Sequence, residues 1–301
     1  MKAIRVYSLG GPEALRLEEV EIPRPGQGQA LLRIEAIGVN FVEIYQRTGL
    51  YKVPTPFTPG GEAAGTVEAV GPGVTTVRPG DRVGSVTVLG AYAEYALARR
   101  DFVFPLPENL DDVHAAPLLC AGIIGFRSLR VAGVEPGDRV GLFGFGASAH
   151  LAIAVLRAWK CEVYVSTRGE SHRQLATSLG ATWVGTEKEK LPVQLDRAIT
   201  FAPSGDVVVA ALASLRKGGV VAINAIHLDR VPEFDYDRLL WGERQLRSVT
   251  NMTRADARDF LQLAAQIGLK PKGTVFSLDQ VNEALIAVKN DLIDGAAVIT
   301  P

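Results

Sequence analysis

A glycine-rich turn near the middle of the chain has the spacing that phosphate binding requires. An apolar run, Arg139–Phe143, leads into Gly144 and Gly146, and a helical pattern follows. In a Gly-x-Gly-x-x-Ala turn the first glycine permits a tight bend, the second lets the backbone approach a phosphate, and the small third residue lets the helix pack against the strand. The first helical turn adds unpaired N–H groups that attract an anion. We therefore predict that a dinucleotide pyrophosphate binds at Gly144, Gly146, Ala147, Ser148 and Ala149.

The end of the next strand indicates which dinucleotide binds. An enzyme that uses NAD carries an Asp or Glu about 20 residues beyond the glycines, where it holds the ribose 2′-hydroxyl. Thr167 occupies that place here, between Ser166 and Arg168. Hydroxyls and a guanidinium bind a 2′-phosphate, so these three residues predict NADPH, and Arg173 could join them from the next helix. Glu170 is the alternative, an acid that would favour NAD.

A parallel sheet must hold these residues, and the second part of the chain has the pattern of one. From His114 onward, helices alternate with short buried strands, which predicts an α/β fold with a doubly wound parallel sheet of the Rossmann type. We assign Phe201, Asn224 and Asn251, at the ends of later strands, to the cofactor site. The predicted strands are Arg139–Phe143, Glu162–Thr167, Thr182–Gly185, Asp196–Phe201, Gly219–Ala225, Leu246–Thr250 and Ala296–Thr300. A helix-rich stretch is predicted over Ala115–Ala132, and the predicted helices after it are Ala147–Trp159, Arg173–Leu179, Val207–Leu215, Thr253–Ile267 and Leu278–Lys289.

The first part of the chain has a different pattern. Short strands broken by glycine and proline predict an all-β, barrel-like domain. Its predicted strands are Lys2–Tyr7, Arg16–Val20, Gln29–Ala36, Gly65–Val70, Arg82–Ser85 and Ala93–Leu97. We expect an N-terminal β-rich catalytic domain over residues 1–113, a dinucleotide-binding domain over 114–267, and a return over 268–301 that completes the catalytic domain.

Composition narrows the class of protein. The chain has 301 residues, 47% of them hydrophobic and 22% charged, with a formal net charge of −1. This profile is typical of a globular enzyme and gives no sign of a nucleic-acid or anionic-membrane partner. Two cysteines, Cys120 and Cys161, are too few for a disulfide framework, and the N-terminus lacks the character of a signal peptide. We expect a cytoplasmic protein.

Two segments resemble known families. The run from Gly38 to Tyr51, with Pro59–Val67 after it, resembles the zinc-free quinone oxidoreductases. From about His114 the chain is more similar to the zinc alcohol dehydrogenases, as in Ala116–Gly122, Phe143–His150 and Gly295–Val298. Both are branches of the medium-chain dehydrogenase/reductase superfamily. The resemblance implies a GroES-like N-terminal domain before the Rossmann domain, and natural divergence or a chimeric origin could each explain the mixture.

The two branches differ in their metal. In the alcohol dehydrogenase branch, the resemblance would place three catalytic zinc ligands at the positions of Asn40, Gly61 and Cys120. Zinc needs about three Cys, His or acidic ligands, and among these three residues only the cysteine is a good one. We therefore predict no metal. Cys120 is then a small residue packed in the interior, and the scattered histidines show no ligand spacing.

Without a metal, the chemistry should be one that needs little activation. Removing a proton from an alcohol is difficult, whereas a quinone or an α,β-unsaturated ketone already accepts hydride readily and needs only hydrogen bonds to the developing oxyanion. We predict such a reductase, with Asn40, Tyr45 and Tyr51 as catalytic residues in a turn that faces the cofactor. The alternatives are an alcohol dehydrogenase-like ketone or aldehyde reductase and a non-catalytic NADPH-binding protein. We also expect a homodimer that pairs the sheet edge near Leu246–Thr250.

Overall fold

The computed structural model describes residues 1–86, 88 and 90–301, which form two compact units. Unit 1 consists of Met1–Ala121 and Ala257–Pro301, and unit 2 is the continuous segment Gly122–Asp256. Unit 2 is thus inserted between two stretches of chain that fold together. The boundaries near residues 113 and 267 remain our proposal for the functional domains.

The strands in chain order are β1 (Lys2–Arg5), β2 (Arg16–Glu19), β3 (Gln29–Val39), β4 (Glu62–Val70), β5 (Arg82–Val86), β6 (Tyr95–Arg99), β7 (Val103–Pro105), β8 (Arg139–Phe143), β9 (Glu162–Ser166), β10 (Trp183–Gly185), β11 (Leu195–Thr200), β12 (Leu215–Ile223), β13 (Gln245–Ser248), β14 (Gly273–Ser277) and β15 (Ala296–Thr300). The α-helices are α1 (Phe41–Thr48), α2 (Asp112–Ala115), α3 (Ala121–Ala132), α4 (Ala147–Ala158), α5 (Glu170–Ser178), α6 (Gly205–Ala213), α7 (Tyr236–Leu239), α8 (Arg254–Gln266) and α9 (Val281–Lys289).

Unit 1 is organised around the long strand β3. Its seven-stranded sheet runs in the order β14-β15-β3-β4-β5-β7, and β6 also pairs with β3. The first half of β3 pairs with β6 and its last residues pair with β15, both antiparallel, so one edge of β3 is shared by two strands. The side chains of β3 are mostly buried, and Ile34 and Ile37 belong to the apolar core of this unit. β3 ends at Val39, directly before the predicted catalytic segment.

Unit 2 is a parallel sheet in the order β10-β9-β8-β11-β12-β13. The chain winds outward from β8 to β9 and β10, then returns to β11 on the other side of β8. Ligands of such sheets bind where the strand order reverses, beyond the carboxyl ends of the strands. The reversal lies between β8 and β11, and Phe201 N–H donates to Phe143 O there at 2.8 Å. The predicted α/β fold with a doubly wound sheet beside a β-rich part is confirmed.

One local prediction was wrong. The segment after Asn40, expected to be a turn, forms α1, because Glu43, Ile44 and Arg47 recur at helical spacing and are buried on one face. The helix-rich stretch expected over Ala115–Ala132 contains the end of α2, a 3-10 turn and α3. Pro117 lies in the 3-10 turn, and it lacks the N–H that a continuous α-helix would use.

The interrupted stretch Asp112–Ala132 is also the one described helical segment long and apolar enough to cross a membrane. About three quarters of its most apolar window, 72%, is buried inside the protein. A core helix passes the same test of length and hydropathy, and burial assigns this stretch to the interior of the fold.

Candidate active site and cofactor site

The first predicted catalytic residue, Asn40, lies at the junction of β3 and α1. It is the N-cap of α1, with extended backbone angles (φ −127°, ψ 161°), and Glu43 follows at the third helical position. Asn40 N–H donates to Glu43 Oε2 at 2.8 Å, which satisfies a backbone donor that the helix leaves unpaired. Asn40 therefore has a structural role in starting α1 in addition to any chemical one.

The two predicted tyrosines lie together, Tyr45 in the middle of α1 and Tyr51 beyond its C-terminus. The ring centroids of Tyr45 and Tyr51 are 5.8 Å apart, and Phe41 lies 5.6 Å from Tyr45 on the same helix. Tyr51 N–H donates to Tyr45 O at 3.0 Å, which fixes the chain after the helix. Burial, and then the neighbouring Tyr51, raise the pKa of Tyr45, so its hydroxyl keeps its proton and can donate a hydrogen bond.

A buried acid, Glu62, joins Asn40 to a distant part of unit 1. It is the first residue of β4 and only 1% exposed. Its Oε1 accepts from Asn40 Nδ2 at 2.7 Å, and its Oε2 accepts from the backbone N–H of Cys120. The structure therefore brings Asn40 and Cys120 to the same carboxyl group.

A second buried acid, Glu43, lies close enough to act on Glu62 electrostatically. Burial raises the pKa of Glu62 to about 8, and the charge of Glu43 adds to that shift. Burial likewise raises the pKa of Glu43 to about 8, against the lowering effect of backbone N–H groups. Both carboxyls thus favour the protonated form near neutral pH. The sequence interpretation missed this pair, although the Asn40-x-x-Glu43 capping spacing was available as a signal.

Burial shifts the pKa values of the thiol, hydroxyl and guanidinium groups around this carboxyl pair. The pKa of the Cys120 thiol and that of the Tyr92 hydroxyl are raised well above their ordinary values, first by burial and then by the two acids. Arg47 is 2% exposed, and burial lowers the pKa of its guanidinium.

The donor set around Asn40 does not fit a zinc ion. Gly61 has no side chain and the Asn40 amide, a poor ligand, is bound to Glu62, so Cys120 is the one good zinc ligand among the three positions. Over residues 1–86, 88 and 90–301, no group of three or more His, Cys, Asp or Glu side chains is arranged to hold a metal. That the active protein works without metal remains a prediction.

The glycine turn of unit 2 has the geometry that a pyrophosphate needs. Gly144 has a φ of +91°, and a Cβ there would lie 2.9 Å from Ala202 N, so both conformation and space require glycine. Gly146 is the N-cap of α4, and a Cβ there would meet nothing within 4 Å. Ala149 is fully buried. The twelve-residue helix α4 thus begins beside open space, which fits a dinucleotide whose pyrophosphate binds at a helix N-terminus.

The predicted phosphate ligands at the end of β9 differ in how exposed they are to solvent. Arg168 has an exposed side chain, and Ser166 is partly exposed. Thr167 is 7% exposed, and its N–H donates to Gly185 O, which leaves it largely inside the protein. Arg168 is therefore the accessible cation at this end of β9.

Arg173 and Glu170 are bound to each other and to the loop. Arg173 Nη1 donates to Thr167 O at 3.2 Å and to Arg168 O at 2.6 Å, and its Nη2 pairs with Glu170. Glu170 also accepts from Gln174 at 3.2 Å. Because Arg173 braces the loop and neutralises Glu170, neither is a free ligand for the ribose. The acid that could have favoured NAD is thus already paired.

The remaining predicted cofactor residues differ in their surroundings. Asn224 is 8% exposed and donates through Nδ2 to Ser128 Oγ at 2.7 Å, which fixes the chain after β12. Asn251 is exposed, and its Oδ1 accepts from Met252 N–H. Phe201 lies at the reversal of strand order, already described. All three follow strands of the parallel sheet at the edge where Gly144 lies.

One buried side chain near the glycine turn was not singled out by its sequence. His150, in the first half of α4, is 3% exposed, and among the described residues neither ring nitrogen has a hydrogen-bond partner. Burial lowers its pKa to about 4, so the imidazole is neutral. The apolar residues around it in the sequence give the only signal, a helix buried on nearly all sides.

Comparison with known proteins matches the first and second parts of the chain to two different family models. The alcohol dehydrogenase GroES-like domain family matches residues 26–108, and the zinc-binding dehydrogenase family matches residues 149–266. A protein of Mycobacterium tuberculosis named as a probable alcohol dehydrogenase is 37% identical, and the alignment covers 99% of this chain and 97% of that protein. That alignment extends over 335 residues, more than the 301 of this chain, so the relative has segments that are absent here.

Quinone oxidoreductases are also similar. The enzyme of Rattus norvegicus is 37% identical over 223 residues, which cover 71% of this chain and 67% of that one. The structure of a mycobacterial protein complexed with NADPH superposes with a TM-score of 0.86 at 28% identity and covers all of both chains. The family matches, the relatives aligned over nearly the whole chain and the fold all indicate the same superfamily. This chain belongs to the medium-chain dehydrogenase/reductase superfamily and is similar to its oxidoreductases.

Proposed function

We propose that this protein is an NADPH-dependent, zinc-independent reductase of quinones or α,β-unsaturated ketones. The observation that carries the proposal is the Asn40–Glu62–Cys120 cluster. Where the resemblance would place three zinc ligands, the chain has an amide bound to a buried acid, a glycine without a side chain, and one cysteine. Oxidising an alcohol requires activation that this cluster does not supply, whereas an electron-poor quinone or enone accepts hydride with hydrogen bonding alone.

Residues of unit 2 would hold the cofactor. The N–H groups at the start of α4 would bind the pyrophosphate in the open space beside Gly146, and the Arg168 guanidinium would pair with the 2′-phosphate. When bound, NADPH supplies the hydride. A mycobacterial structure of the same fold is complexed with NADPH, which supports this choice of cofactor.

Residues of unit 1 would act on the acceptor. Tyr45 Oη–H and the second hydrogen of Asn40 Nδ2 would donate to the oxygen on which negative charge develops, and Tyr51 would hold Tyr45 in place through their ring contact. The raised pKa of Tyr45 keeps that donor protonated over the working range of pH. The final proton would come from water.

The test is turnover with matched acceptors. We expect NADPH oxidation with a panel of simple quinones and enones, and little activity with a paired ketone and alcohol. The same preparation, analysed for elements, should contain no stoichiometric zinc after chelation. Zinc at about one per chain, or preference for the alcohol pair, would instead support an alcohol dehydrogenase-like enzyme, which the 37% identical relative favours. Binding of NADPH without turnover of any acceptor would indicate a binding protein.

The choice of cofactor has its own test. Replacing Thr167 with Asp and Arg168 with Ala adds an acid and removes a cation, so the double variant should shift its preference toward NADH. Arg173 stays in place in this variant, which keeps the loop braced. Dissociation constants for both cofactors are the measurement. A wild type that binds NADH as tightly as NADPH would contradict the interpretation of the strand end.

We also propose a homodimer that pairs β13. This strand lies at the edge of the parallel sheet, next to β12 alone, and the exposed aromatic residues Tyr236 and Trp241 precede it. An open edge presents unpaired backbone groups, which a second copy of the strand would satisfy.

A further inference from the structure

We propose that Glu62 is a positioning residue that holds the Asn40 side chain for the reaction, joining segments that a metal ion would otherwise join. The inference rests on the proposed function for the role of Asn40, but the hydrogen bonds that carry it do not. Glu62 itself need not touch the acceptor or the cofactor.

The carboxyl group of Glu62 connects three segments of unit 1. Oε1 accepts from Asn40 Nδ2 at the start of α1, Oε2 accepts from Cys120 N–H just before α3, and the residue itself begins β4. By resemblance, Asn40 and Cys120 are two of the positions that hold zinc in the alcohol dehydrogenase branch. Each oxygen of a carboxyl group can accept a hydrogen bond even when one of them carries a proton, so this group can bind one donor from each segment and fix their separation without any metal.

The backbone is built to make room for this acid. A Cβ placed on Gly38, near the end of β3, would overlap Oε1 and Cδ of Glu62. Gly38 does not have a positive φ, so what glycine supplies here is space rather than an unusual backbone conformation. The Glu62 side chain therefore lies against the β3 backbone two residues before Asn40, and its direction is fixed.

The bond to Glu62 determines which way the Asn40 amide faces. A carboxyl oxygen that accepts a hydrogen bond must face the amide nitrogen rather than the amide oxygen. One Nδ2 hydrogen is thereby bound, and the other is the only side-chain donor left to Asn40. Asn40 is partly exposed while Glu62 is buried, so this remaining donor belongs to the accessible end of the pair. Without Glu62, the amide could rotate and present its oxygen instead.

The first experiment is a double-mutant cycle on the full chain. In Glu62→Gln, one oxygen and one NH₂ group replace two oxygens, so Asn40 Nδ2 and Cys120 N–H compete for a single acceptor. We expect Glu62→Gln and Asn40→Ala each to lower kcat/KM with a quinone about tenfold. The change in kcat and the change in KM should be the same in the two variants. Adding Glu62→Gln to Asn40→Ala should then change kcat/KM by less than about twofold.

Glu43→Gln is the matched control. Glu43 is an equally buried acid, but its Oε2 accepts from the Asn40 backbone N–H, which Asn40→Ala retains. The effects of Glu43→Gln and Asn40→Ala should therefore multiply. If the effects of Glu62→Gln and Asn40→Ala multiply as well, Glu62 acts independently of Asn40 and the positioning role is overturned, although the proposed function stands. If Glu62→Gln fails to fold, Glu62→Asp replaces it in the same cycle. This variant keeps both carboxyl oxygens, but its shorter side chain moves them away from Asn40 and Cys120.

A second measurement does not depend on activity. The Asn40 side-chain NH₂ signals in an ¹⁵N-correlated NMR spectrum can be assigned by their loss in Asn40→Asp. In the wild type one of the two protons should be protected from exchange, and Glu62→Gln should abolish or move that signal, whereas Glu43→Gln should leave it protected. Two rapidly exchanging protons in the wild type would overturn the proposal. A protected proton in a protein that reduces no quinone would refute the proposed function alone.

Discussion

At the residue scale, the buried pair Glu43 and Glu62 should make the stability of unit 1 depend on pH. Each is 1% exposed, and burial raises the pKa of each from 4.5 to about 8. The folded protein thus holds protons that the unfolded chain releases above pH 4.5. Stability should be fully present below that pH and fall as the pH rises through 8, by at most about 1.4 kcal/mol per pH unit for each carboxyl.

Urea unfolding at several pH values from 4.5 to 9 measures this dependence. Removing the titration with the Glu43→Gln/Glu62→Gln double variant should flatten the decline, while Cys120 and Tyr92, whose pKa values the two acids raise, remain. A wild type whose stability rises between pH 5 and 8, through ordinary surface carboxylates, would show that the pair is ionised in the folded protein.

Tyr45 tests the proposed chemistry at the same scale. Tyr45→Phe removes one donor to the developing oxyanion but keeps the ring contacts with Phe41 and Tyr51. An oxyanion donor contributes a factor on the order of 10²–10³ in other enzymes, and an electrophilic substrate reduces that dependence. We expect a loss of roughly tenfold in kcat, larger with enones than with quinones because quinones need less polarisation. Steady-state kinetics on both substrates decides, and equal near-wild-type rates would remove Tyr45 from the mechanism.

At the scale of elements, the two glycines between β8 and α4 should behave differently when replaced. Gly146→Val places a side chain in open space where phosphate would lie, so the protein should fold normally and lose NADPH binding. Gly144→Ala forces a non-glycine residue to a φ of +91° against Ala202 and should cost about 1–3 kcal/mol of stability. Thermal unfolding and cofactor titration of both variants separate the roles. Normal NADPH affinity in a folded Gly146→Val protein would place the pyrophosphate elsewhere.

The elements also show what sequence could predict. Strands β8 and β15 begin and end where their apolar runs do, and the turn at Gly144 follows from spacing alone. The helix α1 was missed because its eight residues carry a charged buried face, with Glu43 and Arg47 in place of apolar residues. Asn40 was found by resemblance, but Glu62 was not, since its partners Asn40 and Cys120 are brought to it by tertiary structure. Contacts between distant segments leave no local pattern in one sequence.

At the scale of the whole molecule, the proposed dimer depends on the open edge of β13. Val249 N–H donates to Ile223 O in β12, so by strand alternation the Ser248 N–H points away from the sheet. Ser248→Pro removes that outward donor while sparing the bond to β12. We expect a dimer for wild type and for the control Ser248→Ala, and a monomer for Ser248→Pro, by light scattering at micromolar concentration. A wild-type monomer under these conditions would contradict the dimer.

The pairing of β15 with β3 has a consequence for the order in which the molecule can be assembled. A ribosome releases β3 first, then all of unit 2, and only afterwards the strand that pairs with Ile37, Gly38 and Val39. Unit 2 is a continuous segment and can form its sheet during synthesis. The last part of β3, in contrast, has one edge unpaired until β15 has been synthesised. That edge leads directly into Asn40. The segment proposed to do the chemistry is therefore among the last to acquire its surroundings, and the nascent chain is most open to wrong strand pairing there.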